Sequence, residues 1–260
     1  MNNTEDTKQN AKCGLKELLD FRDLPDPVRK DLEAICRRRS YKAGQTIAEI
    51  GTHLDTIGIV RDGILRMQKS LPDGRQHVVG LLVAGDLFGR VFDGGMHFSV
   101  EAATDADIFS FERGRFESIL LRSPELDRLL LLNLMNELDR ARDWMIILAN
   151  PKIRGRLAGF LLLLCTRFQT VDHLITVKDR AVQIRIPLSR PDVAHLLGTR
   201  VESISRALHA LADDGLVRIL QPDLVEVEQI AALTEEAGEP DLGDPASLER
   251  LVRLIQKTSN

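Results

Sequence analysis

The sequence predicts an α+β chain in three parts: a small antiparallel β-roll, one long helix, and a pair of short helices backed by a β-hairpin. Three observations lead there. Between Tyr41 and Phe111, strand-sized alternating runs recur about every ten residues, with glycine at the turns. From Pro124 to Asn150 the apolar residues keep an unbroken helical period. The stretch PLSRPDVAHLLGTRVESISRALHALADDGLV, residues 187–217, carries two helix-start signals with a glycine between them.

Composition frames these parts. The chain has 260 residues, 28% of them charged and 43% hydrophobic, enough for two domains with their own cores. No apolar run reaches the roughly 18 residues of a membrane span. The longest, LAGFLLLLC at 157–165, reads as a buried helix. The opening MNNTEDTKQNAK is polar and lacks the apolar core of a signal peptide, so the expected location is the cytoplasm. There is no P-loop, nucleophile elbow, HExxH or paired Asp/Glu set. No catalytic residue and no metal site is therefore proposed, and an enzyme is not expected. Glu101 and Glu112 read as solvated carboxylates. The net charge of −4 counts against a nucleic-acid partner without excluding one, because affinity depends on a local basic patch. Residues 152–206 supply such a stretch: Lys152, Arg154, Arg156, Arg167, Lys178, Arg180, Arg185, Arg190, Arg200 and Arg206, against Asp172, Asp179, Asp192 and Glu202.

The parts follow in order. Residues 1–14 read as a flexible tail, and 15–39 as helix. The roll completes a domain over 15–123. Its turns fall at Gly44, Gly51, Gly63, Gly74, Gly85 and Gly89, and Pro72-Asp73-Gly74 is a strong hairpin turn. The helix over 124–150 starts with Pro124 behind Ser123, a good cap. Leu131, Leu134, Leu138, Ala141, Met145 and Leu148 recur at spacings of 3, 4, 3, 4 and 3, a coiled-coil seam. Leu126, Leu129, Leu130 and Trp144 form a second apolar set. Two apolar faces call for two partners: the chain's own roll, and the same helix of a second subunit.

Residues 151–228 form the last domain. Ser189 with Asp192, and Thr199 with Glu202, each fit a capping box. Gly198 sits where a helix end needs a residue tolerant of positive φ. Val193, Ala194, Leu196 and Leu197 give the first helix an inner face; Val201, Ile204, Leu208 and Leu211 do so for the second. Arg200, Glu202, Ser203, Ser205, Arg206 and His209 are left facing outward. Arg suits guanine O6/N7, Glu accepts from cytosine N4, and Ser bonds either way, so this helix is fitted to a DNA major groove. Ser189, Arg190 and Thr199 complete the expected DNA-binding set. An ordinary helical hairpin with a solvated polar face is the alternative. The following LVRILQPDLVEVE argues against it. A strand, a Gln221-Pro222-Asp223 turn and a second strand from Leu224 to Glu228 make the wing of a winged helix-turn-helix. Residues 229–260 read as an acidic linker and a helix, LERLVRLIQK, with Leu248, Leu251, Leu254 and Ile255 on one face.

Roll, long helix and winged helix in this order resemble the CRP/FNR family of bacterial transcription regulators, over roughly Leu15 to Glu228. The residues that carry the resemblance are KAGQTI (42–47), VRDGILRM (60–67), DGRQHVVGLLVAGDLFGR (73–90), the 124–150 helix and LSRPDVAHLLGTRVESISRALHALADDGLV (188–217). It implies a cyclic-nucleotide-binding-like roll, a dimerisation helix, a homodimer on double-stranded DNA, and RNA polymerase as a further partner. Glu202-Ser203-Ile204-Ser205-Arg206 is similar to the reader of the FNR/FixK branch. The implied target is a palindrome of TTGAT, a short spacer and ATCAA. Glu202, Ser205 and Arg206 are the implied base contacts.

The signal is less legible. Cyclic-nucleotide binders of the family carry Gly-Glu and later Arg-Ser or Arg-Thr. Here Asp86 and Leu87 stand near the first position, the second is missing from GDLFGRVFDGGMHFSVEAATD (85–105), and Arg90 reads as an ion-pair residue. An iron–sulfur cluster needs four thiolates, and the chain has three cysteines, with Phe109 about where relatives place one. Cys165 reads as a buried thiol and Cys13 as part of a mobile tail. Cys36, beside Arg37-Arg38-Arg39, is open to activation by those cations. Cys13 and Cys36 are thus candidate redox residues, the simpler reading being two unrelated free thiols. His53, His77 and His97 read as turn or surface residues, not haem ligands. The expectation is a dimer working without a cofactor, with a sensor gated by thiols, haem or a small molecule as the alternative.

Overall fold

The computed structural model describes residues 13–18, 21–70, 76–92, 94–168, 174–178, 181–238, 249–251 and 253. The expected turn at Pro72-Asp73-Gly74, and Leu248, Leu254 and Ile255 of the expected C-terminal helix, lie outside them. The chain divides into two compact units, residues 1–69 with 79–137, and 70–78 with 138–260.

The first unit begins with a short 3-10 turn, Leu15–Glu17, and helix α1, Asp26–Ile35, which has a proline in its first turn. Strand β1, Cys36–Tyr41, follows without a break. The helix expected through residue 39 therefore ends earlier. The CRRRSY run pairs antiparallel with β8, Ala106–Glu112, from Cys36 opposite Phe111 to Tyr41 opposite Ala106. At the edge of its sheet this polar run puts arginines into solvent, which suits an edge strand.

The roll is two four-stranded antiparallel sheets. One has the order β1-β8-β3-β6, with β3 at Thr56–Asp62 and β6 at Leu87–Phe88. The other has β2-β7-β4-β5, at Thr46–Ala48, Ser99–Ala102, Leu65–Ser70 and Gln76–Leu82. Val60, Leu65, Leu82, Phe88, Val100 and Ile108 fill the space between them. Gly58 is required there, because a Cβ on it would stand 2.1 Å from the Phe88 ring. A second core lies outside the first sheet. Ile57, Ile59, Phe109 and Phe111 meet Leu32 of α1, Phe116 of α2 (Arg113–Leu120), and Leu15, Leu18, Phe21 and Leu24. Cys13 belongs to this core at 6% exposure, and it forms a disulfide with Cys36. Two sequence expectations are corrected here. Cys13 is not in a loose tail, and the two thiols are not unrelated.

Helix α3 runs Pro124–Ala149 as expected. The Ser123 hydroxyl accepts from the Leu126 N–H at 3.3 Å. Leu126 and Leu129 enter the outer core, with Leu130 against it. Trp144, expected beside them, instead stacks on Phe160 of α4 (Ile153–Arg167) at 6.2 Å between centroids. Leu131, Leu134, Leu138, Met145 and Leu148 are exposed at 58, 59, 52, 71 and 39%, and Ala141 is exposed with them.

In the second unit α4 is the central element, with Leu157, Leu161, Leu164 and Cys165 fully buried. Helices α5, Arg190–Leu196, and α6, Val201–Asp213, form the expected pair. Their sheet has four strands, in the order β11-β12-β10-β9. The hairpin β11, Arg218–Gln221, and β12, Leu224–Val227, was legible in the sequence; β9, Ile175–Lys178, and β10, Ala181–Arg185, were not. Residues 230–237 are likewise not linker. Ile230–Ala237 is helix α7, which buries Ile230, Leu233 and Ala237 and ends at Gly238 with φ +76°. Its apolar side packs against α4.

Candidate DNA interface

The first capping box forms. Ser189 is the cap of α5, its hydroxyl accepting from the Asp192 N–H at 3.2 Å and donating to the Asp192 carboxylate at 2.6 Å. The second does not. Gly198 turns the chain with φ +64°, and the Thr199 N–H donates to the Ala194 carbonyl at 2.9 Å. That bond holds Thr199 in the turn, so Arg200 takes the cap position and no side chain caps α6. Glu202 instead stands in the first turn, where its charge favours the helix dipole.

Helix α6 has two distinct sides. Ile204, Ala207, Leu208 and Leu211 are buried, and Val201 is half-buried. Arg200, Glu202, Arg206 and His209 are exposed, with Ser203 and Ser205 at the margins. The side chains of Arg200, Glu202 and Arg206 make no hydrogen bond or ion pair among the described residues. A solvated trio of one acceptor and two forked donors on a groove-sized helix is a set of groups free to meet base edges. The His209 ring is held by its own helix, Nδ1–H donating to the Ser205 carbonyl at 2.8 Å.

Much of the basic stretch is occupied within the protein. Arg154 binds Asp214 at 2.7 Å and Glu236 at 3.0 Å. Arg156 donates to the carbonyls of Asn150 at 2.8 Å and Leu197 at 3.0 Å, tying the approach to α4 to the end of α5. Arg185 binds Asp223 at 2.5 Å. Arg190 is half-buried and donates to the Pro222 carbonyl, linking α5 to the wing turn; burial lowers its pKa. These four arginines hold the scaffold. A count of basic residues could not separate them from Arg200 and Arg206.

The wing is braced in the same way. Glu226 on β12 is 5% exposed, accepts from Gln183 of β10 at 2.8 Å, and pairs with Arg218 of β11. The Gln183 hydrogen bond first, then Arg218, holds its carboxyl below the usual range.

In the roll, the residues weighed for a signal are also committed. Asp86 is 4% exposed, and its carboxylate accepts the Val83 N–H at 2.8 Å, so it closes a turn. Glu101, expected in solvent, is partly buried and takes Arg66 at 2.5 Å and Gln68 at 2.7 Å. Asp86 and Glu101 are thus both engaged within the roll. The thiols do not fit a cluster: Cys13 and Cys36 are joined, and burial pushes the Cys165 thiol up to about 12.

Comparison with known proteins bears on both units. A family model described as "Cyclic nucleotide-binding domain" matches residues 38–123, and one described as "Crp-like helix-turn-helix domain" matches 155–236. The chain is similar to the transcriptional activator protein FnrL of Cereibacter sphaeroides, 33% identical over 82% of this chain and 85% of that one. It is similar to the nitrogen fixation regulation protein FixK of Bradyrhizobium diazoefficiens, 29% identical over 78% of this chain and 85% of that one. The solved structure of FixK2 from Bradyrhizobium japonicum shares the fold, with a TM-score of 0.67 at 24% identity, over 81% of this chain and 98% of that one. With its roll, long helix and winged helix in place, the chain belongs to the CRP/FNR family of transcription regulators, in the FNR/FixK branch.

Proposed function

We propose that this protein is a transcription activator that binds a TTGAT/ATCAA-like palindrome as a homodimer, without a cyclic nucleotide or an iron–sulfur cluster. The observation that carries the reading is the side-chain inventory of α6. Glu202 and Arg206 stand exposed one turn apart and are unengaged, while neighbouring arginines are consumed by the scaffold. In this reading Glu202, Ser205 and Arg206 meet base edges. Ser189, Thr199, Arg200, Ser203 and His209 lie around them, and Arg190 acts by placing the wing.

The α3 stripe supports the homodimer. Leu131, Leu134, Leu138, Ala141, Met145 and Leu148 form one exposed seam, larger than the scattered apolar residues a monomer carries. No acidic residue interrupts it, since Glu137 and Asp139 flank it. A two-fold dimer presents two reading helices to two half-sites, which is why a palindrome is the matching target. The name of FnrL supports activation; in this reading RNA polymerase is a further partner and the protein works in the cytoplasm, where the chromosome is. No helix among the described residues is long and apolar enough to cross a membrane.

The test is a stoichiometric titration of metal-free protein against the labelled palindrome and a scrambled duplex, at one stated salt concentration. Saturation at two chains per palindrome, with weak binding to the scrambled duplex, supports the reading. Equal binding to both duplexes refutes it.

A further inference from the structure

We propose, resting on the palindrome reading above, that Asn150 is a positioning residue: its side chain fastens the hinge between α3 and α4 to α7, and so fixes the half-site separation that the dimer accepts. Helix α3 ends at Ala149 because Pro151 follows, and α4 starts at Ile153, so residues 150–152 are the hinge. The Asn150 amide is used at both ends. Its Nδ2 donates to the Ala237 carbonyl, at the end of α7, at 2.9 Å. Its Oδ1 accepts from the Lys152 N–H at 2.9 Å. A carbonyl only accepts and an N–H only donates, so the amide has one orientation here. The Oδ1 bond alone would be an ordinary local turn. The Nδ2 bond is different, because its partner lies 87 residues along the chain.

Gly155 points independently to the same contact. It lies in the first turn of α4, although glycine is a poor helix former. A Cβ at 155 would stand 2.3 Å from Asn150 Nδ2 and 2.7 Å from its Cγ and Oδ1, and it would meet no nearer atom. Glycine is needed there to leave room for the Asn150 amide. A second tie runs from the hinge to the reading pair: the Asn150 carbonyl accepts from Arg156, which also reaches the Leu197 carbonyl past α5. Without the amide that tie remains, and the hinge loses its hold on α7. All of these residues belong to the C-terminal unit. In a two-fold dimer, the direction of α3 at the hinge decides where the two copies of α6 stand. Each base pair of spacer moves one half-site by about 3.4 Å and about a tenth of a turn. A loosened hinge therefore tolerates spacers that a fixed one rejects.

The experiment compares the full-length protein with Asn150→Ala, which removes the amide, and with Gly155→Ala, which displaces it while favouring α4. Spin labels at Ile146→Cys on α3 and Asp213→Cys on α6, both exposed positions, give the distance across the hinge in chains diluted with unlabelled protein. Cys165 is buried and the other two cysteines are joined, so the added cysteines take the labels. Titration on TTGAT/ATCAA palindromes, with the spacer unchanged or altered by one base pair, gives the separation accepted. The unmodified protein is expected to show one narrow distance and one preferred spacer. Both variants are expected to broaden the distance and to lose about tenfold of the spacer preference, with selectivity for the arms kept. Distances as narrow in both variants as in the unmodified protein overturn the fastening. Broadened distances with an unchanged spacer preference overturn its role in spacing. An unmodified protein that prefers no palindrome refutes the DNA reading instead, and the distances still decide the fastening.

Discussion

Arg154, in the first turn of α4, grips Asp214, just past the end of α6, at 2.7 Å. The same guanidinium reaches Glu236 on α7 at 3.0 Å. One side chain thus joins the central helix of the C-terminal unit to the far end of α6 and to α7.

Removing that side chain leaves Glu236, 19% exposed, without its cation. Arg154→Ala is expected to destabilise the C-terminal unit by roughly 1.5–3 kcal/mol, the range for hydrogen bonds to charged groups. Denaturant unfolding followed by the fluorescence of Trp144, which packs on α4, measures it. Asp214→Ala should cost less, because Asp214 is 56% exposed and solvent screens its half of the interaction. An Arg154→Ala midpoint equal to that of the unmodified protein would show that the grip contributes nothing.

Arg206 is exposed and free of internal bonds, so its removal should leave the fold intact. Arg206→Ala is expected to weaken binding to the palindrome by about 1–3 kcal/mol and to relax selectivity at the base pair it reads. Single-base-pair substitutions, titrated against both proteins, locate that position. A loss spread evenly over all sequences would make Arg206 a phosphate contact.

Leu134 and Leu138 are a turn apart on the exposed seam, at 59 and 52% exposure. Leu134→Glu/Leu138→Glu puts like charges into a two-fold contact and is expected to give monomers at micromolar concentration. Sedimentation velocity reads the mass, and circular dichroism checks that α3 persists. A variant that sediments as the parent protein does would place the subunit contact elsewhere.

Glu226 gives the wing a defined pH response. Its carboxyl titrates below its ordinary value in the folded protein, held there first by Gln183 and then by Arg218. A depressed carboxyl contributes stability that is complete above the unfolded value of about 4.3 and disappears as pH falls through the lower folded value. Urea unfolding at pH 6 and below pH 4 should therefore show a steeper acid loss for the parent protein than for Glu226→Gln. Parallel losses would mean that the pair is not felt in stability.

The parts of this molecule that were legible in the sequence carry strong local signals. The glycine-punctuated roll, the Pro124 helix, Ser189 as a cap and the Gly198 turn each rest on residues a few positions apart. What was missed depends on distant partners. CRRRS is an edge strand only because β8 lies beside it. Thr199 lost its cap role to a bond with Ala194, five residues back. Strand β10 is bounded by no turn signal and is fixed by pairing with β12. Helix α7 was hidden because TEEAG reads as acidic linker, although Ile230, Leu233 and Ala237 share one buried side. Cys13 and Cys36 are 23 residues apart, and only the packing of Leu15, Leu18 and Phe21 brings them together.

The most direct measurement is selection from a pool of random duplexes, because it presumes no target. The full-length protein, at one stated salt concentration and without added nucleotide or iron, would be used to enrich bound sequences over several rounds. An inverted repeat with TTGAT and ATCAA arms is the expected result, and Arg206→Ala should blur one base pair in each arm. Enrichment of a single unrepeated motif, or no enrichment without an added effector, would contradict an effector-free dimer that reads DNA through Glu202, Ser205 and Arg206.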